Sequence, residues 1–197
     1  MDEGATLRAD CGRCQGLCCV SLAFDRGAWF GTDKAADEPC RHLLGDHRCA
    51  IHARRQREGF GGCVHYDCAG AGQRVTEELF AGQSWRADPA LAARMFESFR
   101  TLRHVHELRL LLNAARELPL LPAEAEHRER LQSELEPAAG WTPESLADCD
   151  LATREREVHA FLRGLRERVP LNAERSRRRL PLVSPPFRVT TSGLDQR

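Results

Sequence analysis

Lysine is almost missing from this chain of 197 residues: of 29 basic residues, only Lys34 is not arginine. With so many Ala, Gly and Leu, that bias reads as the coding habit of a GC-rich genome rather than as phosphate recognition. Net charge is missing too. The 29 acidic residues balance the basic ones, so the overall field argues for neither nucleic acid nor a membrane surface. No apolar run approaches the roughly 18 residues of a membrane helix. The stretch Met1 to Arg8 has no cationic start followed by an apolar run, so no signal peptide is expected. A soluble cytoplasmic protein follows as the expectation. Glycine-rich phosphate loops are absent, since Gly70-x-Gly72 opens no strand–turn–helix context. No Ser/His/Asp order is visible either.

What is abundant is cysteine, and it is concentrated. Eight of the nine cysteines fall between Cys11 and Cys68: Cys11, Cys14, Cys18, Cys19, Cys40, Cys49, Cys63 and Cys68. A chain of this size can bury roughly 70% of its unfolded surface, so it is not obliged to use staples. In a reducing compartment clustered thiols hold metal or do catalysis more often than they form disulfides. Thiolate is a soft ligand, and tetrahedral sulfur sites hold zinc or belong to iron–sulfur clusters. Cys11-x2-Cys14 is a chelating spacing, because a tight turn aims both sulfurs at one ion. Cys18 and Cys19 are adjacent, and neighbouring side chains diverge, so they serve different metals or only one ligates. Eight sulfurs suffice for two four-ligand sites, or for one cluster with spares. His52 is a further candidate ligand, since Cys49-Ala-Ile-His52 places both on one face of a helical turn. Gly12, Gly16, Gly61, Gly62, Gly70 and Gly72 surround the ligands and leave backbone N–H groups free to point at sulfur.

The rest of the chain is expected to be helical. Val20 to Asp25 reads as a short strand or extended leg, Cys49 to Arg57 as one or two helical turns, and Ala69 to Gln73 as a flexible connector. Asp88-Pro89 opens a long helix to Glu117 with Met95, Phe96, Phe99, Leu102, Val105, Leu108 and Leu112 on one face. A second helix runs from Pro122 to about Leu135. A third opens at Thr142-Pro143-Glu144 and continues past Asp150 to Val169. His104 and His106 read as partly exposed, Cys149 as a buried or half-buried thiol, and Tyr66 as a shield for the metal. The expected fold is mainly α. An irregular, metal-stapled cysteine-rich module (residues 9–74) packs on an antiparallel bundle of about three helices (75–169), and an extended Arg/Pro-containing tail follows (170–197).

The run Cys11-x2-Cys14-x3-Cys18-Cys19, with Pro39-Cys40-x2-Leu43, Cys49-x-Ile51-His52-x2-Arg55 and Cys63-x4-Cys68, resembles the bacterial CxxCxxCC (YkgJ-like) cysteine-cluster family. The continuation through Tyr66 to Gln73 is similar to the N-terminal module of actinobacterial proteins described as pentapeptide-repeat proteins. The resemblance covers roughly residues 9–86. Position 52 is His where the family has Tyr, the Arg-Pro before the next Cys is missing, and no pentapeptide repeat follows. The resemblance implies zinc or iron chelation by the eight cysteines. Flagellin lysine N-methylases carry a related cluster, and other relatives are labelled iron–sulfur oxidoreductases. It therefore implies an iron–sulfur cluster, with zinc as the alternative, and a redox partner or a protein partner recognised by the helical half. The Arg177-Arg178-Arg179 run reads as a solvated tail, not a nucleic-acid site.

Overall fold

A computed structural model describes residues 7–168. Among them run seven α-helices: α1 (Leu17–Ser21), α2 (Gly61–His65), α3 (Ala71–Arg74), α4 (Pro89–Ala115), α5 (Pro122–Leu135), α6 (Pro143–Ala147) and α7 (Leu151–Arg168). Short 3-10 turns occupy Cys11–Arg13 and His52–Arg54, and α3 runs on into a π-helical turn at Val75–Leu79. The described residues contain no strand, only the isolated bridges Phe24–Lys34 and Leu43–Cys49. The mainly α expectation therefore holds. The expected tail over 170–197, and Val169 before it, lie outside the described residues.

Helix α4 is the axis on which the rest packs. Asp88 Oδ1 accepts from the Ala90 N–H at 2.9 Å, and Pro89 fills the first helical position, where its missing N–H costs nothing. Its apolar stripe is buried as the spacing predicts, with Phe99, Leu102, Val105 and Leu112 fully enclosed. Each such side chain contributes about 1.5–3 kcal/mol. Around it sit α1, α3, α5, α6 and α7. Leu17 and Val20 from α1, Cys68, and Ala71 from α3 join Phe99, Leu131 and Leu165 in one core. Part of the cysteine-rich segment thus shares its apolar interior with the helices.

Several local expectations change. The third helix is two: α6 stops at Ala147, and α7 starts at Leu151. Asp150 causes the restart, its Oδ1 accepting from the Thr153 N–H at 3.1 Å as an N-cap. Val20 to Asp25 is not a strand: Val20 and Ser21 end α1, and the chain is extended from Leu22. Leu17 and Val20, three apart, both face the core from α1, and only Phe24 pairs, with Lys34. Residues 69–73 are a buried part of the core rather than a flexible connector, and Gly70 leads directly into α3. There the Gln73 amide accepts from Asp10 N–H at 3.1 Å and donates to Arg8 O at 2.7 Å, tying the N-terminal segment to α3.

A second, smaller core lies under the loops. Phe24 and Phe30 stack at 4.2 Å, Phe60 meets both edge-on, and Ile51 completes the cluster. The tip of the Phe30 ring abuts Gly62, where a Cβ would stand 2.2 Å from its Cζ, so only glycine permits the approach. None of the described helices is long and apolar enough to cross a membrane.

Candidate metal centre

Three short elements and the loops between them carry the eight cysteines. Cys11 opens the first 3-10 turn and Cys14 ends it, and Asp10 caps the turn by accepting from Gly12 N–H at 2.9 Å. That turn is pinned to distant chain: Gln15 N–H donates to Thr76 Oγ1 at 3.2 Å, and Gln15 O accepts from Trp85 Nε1 at 2.9 Å. Cys18 and Cys19 sit on α1 with their sulfurs 3.9 Å apart. Cys40 donates its N–H to Cys19 O at 2.9 Å, and Cys49 bridges to Leu43. Cys63 rides on α2, its carbonyl accepting from Arg55 Nη1 at 2.8 Å. Cys68 immediately precedes Ala69 (φ 49°) and Gly70 (φ 80°), a left-handed pair that turns the chain into α3.

Backbone N–H groups point back at four of these sulfurs. Gly16 and Leu17 approach Cys14, and Gly70 and Gly72 approach Cys68. His42 N–H approaches Cys40, and Ile51 N–H approaches Cys49. Donors aimed at sulfur stabilise thiolate over thiol, and metal-bound cysteines need that. Gly16, Gly70 and Gly72 thus have the role their sequence position suggests; Gly12 is occupied with Asp10 instead. Gly72 has a second reason to be glycine. A Cβ there would stand 2.6 Å from Cys14 Sγ and 3.7 Å from Cys68 Sγ, so both sulfurs border the space it leaves.

Burial opposes ionisation of most of the thiols. It pushes Cys14 and Cys63 up to about 12. Between the adjacent pair, the hydrogen bond shared by the two sulfurs moves Cys18 up and Cys19 down. The cations Lys34 and Arg55 favour the Cys19 thiolate further. Lys34 Nζ donates to three carbonyls, Val20 O at 2.8 Å, Ala35 O at 2.9 Å and Glu38 O at 2.7 Å. A tetrahedral ammonium with three N–H donors suits that convergence in a way a planar guanidinium does not. The chain's one lysine is there for geometry, and its singularity in the sequence was the available signal.

The donor set fits a thiolate-bound metal in its chemistry. As the side chains stand, no group of three or more His, Cys, Asp or Glu among the described residues is gathered closely enough to hold an ion. The thiols would have to turn about their Cα–Cβ bonds to converge. His52 is exposed in its 3-10 turn, its backbone N–H donating to Cys49 O at 3.2 Å. Cys149 lies apart, between α6 and α7. Tyr66 packs on the main core beside Cys18 and Cys68, where burial raises its phenol well above the ordinary range.

His106, expected to be partly exposed, is completely buried. Its Nδ1–H donates to Ala69 O at 2.5 Å and its Nε2 accepts from Arg74 Nη1 at 3.0 Å. A carbonyl only accepts and a guanidinium only donates, so the partners fix the neutral Nδ1–H tautomer. Arg74 also makes a bidentate pair with Glu136 at 2.9 and 3.0 Å, and Arg109 reaches the same carboxylate at 2.5 Å. This network fastens the loop after Cys68 to α4 and to the end of α5. A lone polar residue on an apolar stripe was the only sequence signal for it.

No family model matches the chain, and no solved structure matches it. The chain is 34% identical over 157 residues to the uncharacterized protein YybG of Bacillus subtilis (strain 168). That similarity spans 79% of this chain and 56% of YybG, so the chain covers less than two thirds of that relative's length.

Proposed function

We propose that this chain is a cysteine-cluster metalloprotein of the CxxCxxCC kind, holding its metal through Cys11, Cys14, Cys18, Cys19, Cys40, Cys49, Cys63 and Cys68. The observation that carries the reading is the set of backbone N–H groups already directed at Cys14, Cys40, Cys49 and Cys68. Those donors offset part of the cost of ionising buried thiols. An iron–sulfur cluster, favoured by the surplus of thiols and by the resemblance, would supply one-electron transfer to a redox partner. The fitting compartment is a reducing cytoplasm, where free thiols persist.

A structural zinc centre is the second reading, and a specific feature favours it. Between Leu22 and Phe60 the described chain has only a 3-10 turn and two isolated bridges. A segment so poor in regular hydrogen bonding gains folding free energy from a metal. The helical half would then present a surface to a protein partner. Purification without oxygen, followed by metal and labile-sulfide analysis, separates the two. A coloured protein with iron and sulfide selects the cluster, and a colourless one with zinc selects the structural ion. A folded chain that carries neither metal, and takes up neither after reduction, removes both readings.

A further inference from the structure

We propose that the eight thiols form two separate four-sulfur sites, Cys11/Cys14/Cys18/Cys68 and Cys19/Cys40/Cys49/Cys63, each holding its own metal, with the Cys18–Cys19 peptide as the joint between them. The proposal rests on the metal-binding reading above and adds its partition.

Packing divides the sulfurs first. Cys68 belongs to the main core, and Cys14 and Cys18 pack against it. Cys40, Cys49 and Cys63 pack instead against the second core of Phe24, Phe30, Ile51 and Phe60. Backbone contacts agree. Cys40 N–H bonds Cys19 O, and Cys49 pairs with Leu43, three residues beyond Cys40. On the other side, Cys14 and Cys68 sulfurs face the same Cβ-less position at Gly72.

Electrostatic neighbourhood gives the same division. Cys14 is felt by Cys68 and Cys11, and Cys18 by Cys14 and Cys68. Cys63 is felt by Cys19, Cys40 and Cys49, and Cys40 by Cys19 and Cys49. The links that cross the division all run to Cys19: from Cys18, its neighbour in sequence, and from Cys11. Adjacent residues on a helix point about 100° apart. That angle sends Cys18 to the main core and Cys19 to the loops. Each set receives two of the four sulfurs that backbone N–H groups already approach. Arg55 is felt on both sides, by Cys19 and by Cys11, but Lys34 stands beside Cys19 and Cys40, whereas Asp10 and Asp67 stand beside Cys11. The two sites therefore differ in charge as well as in packing.

The test uses the full reduced chain, metal-free, titrated anaerobically with zinc(II) alone. Two zinc ions per chain are expected by native mass spectrometry. Alkylation at half saturation, with labelled positions read on intact chains, should then show protected thiols in fours. Chains with one zinc should be protected at Cys11, Cys14, Cys18 and Cys68 together, or at Cys19, Cys40, Cys49 and Cys63 together, with Cys149 labelled throughout. Saturation at one zinc, protection of all eight thiols at once, or any fourfold grouping that mixes the sets overturns the partition and leaves the metal reading standing. A chain that takes up no zinc and no iron overturns the metal reading as well. The titration needs no variant, so misfolding cannot obscure it.

Discussion

The imidazole of His106, in the middle of α4, donates to the carbonyl oxygen of Ala69 at 2.5 Å. Ala69 holds a left-handed φ of 49° directly after Cys68. A helix far along the chain thus fixes the backbone that presents one of the candidate ligands. Replacing His106 with Ala removes both hydrogen bonds, leaves a buried carbonyl unpaired and opens a cavity. The loss should be about 2–4 kcal/mol, read from denaturant unfolding.

Burial holds the His106 pKa down at about 4, and the cations Arg74 and Arg109 add to the effect against the Ala69 bond and Glu136. A histidine whose folded pKa lies below its unfolded value of 6.5 stabilises the fold above 6.5. That stability is lost as pH falls from 6.5 towards 4, and it amounts to about 3 kcal/mol. Glu136 adds to the acid loss: despite burial, the bond from Arg74 and the charge of Arg109 hold its carboxyl below the ordinary range. Unfolding free energies across this window should fall steeply for the native chain and less steeply for His106→Gln. Equal slopes would mean that His106 is not the titrating group.

Gly72→Ala places a methyl group 2.6 Å from Cys14 Sγ. The Cys14 side chain must then rotate away from Cys68. Zinc affinity should drop at least tenfold, while stability of the metal-free chain falls by about 1–3 kcal/mol. Competition against a chromophoric chelator measures the first and denaturant unfolding the second.

Lys34 provides an independent check on the loop beside Cys19 and Cys40. Lys34→Met deletes three donors to Val20, Ala35 and Glu38 carbonyls and should cost about 2–3 kcal/mol. Lys34→Arg keeps the charge but not the tetrahedral donor set, so it should rescue the loss only in part. Complete rescue by Arg would show that charge alone matters there.

The long helices were legible because their signals are local. Asp88-Pro89, Thr142-Pro143 and the three-and-four spacing of Phe99, Leu102 and Leu112 each act within a turn or two. The break at Asp150 was hidden because the apolar stripe continues across it from Leu146 to Val158, while the cap that makes the break is a single side chain. The path of the cysteine segment was not legible for a different reason. Its anchors are side-chain to backbone bonds between residues far apart in sequence, such as Gln73 to Asp10 and Trp85 to Gln15. No local pattern encodes those pairs. The candidate ligands were readable from their density alone, whereas their arrangement in space depends on which core each one packs against.

X-ray absorption at the metal edge of the loaded, full-length chain tests the central claim most directly. The account predicts a ligand shell of sulfur alone, at about 2.3 Å and four per metal. A shell dominated by oxygen or nitrogen would contradict it.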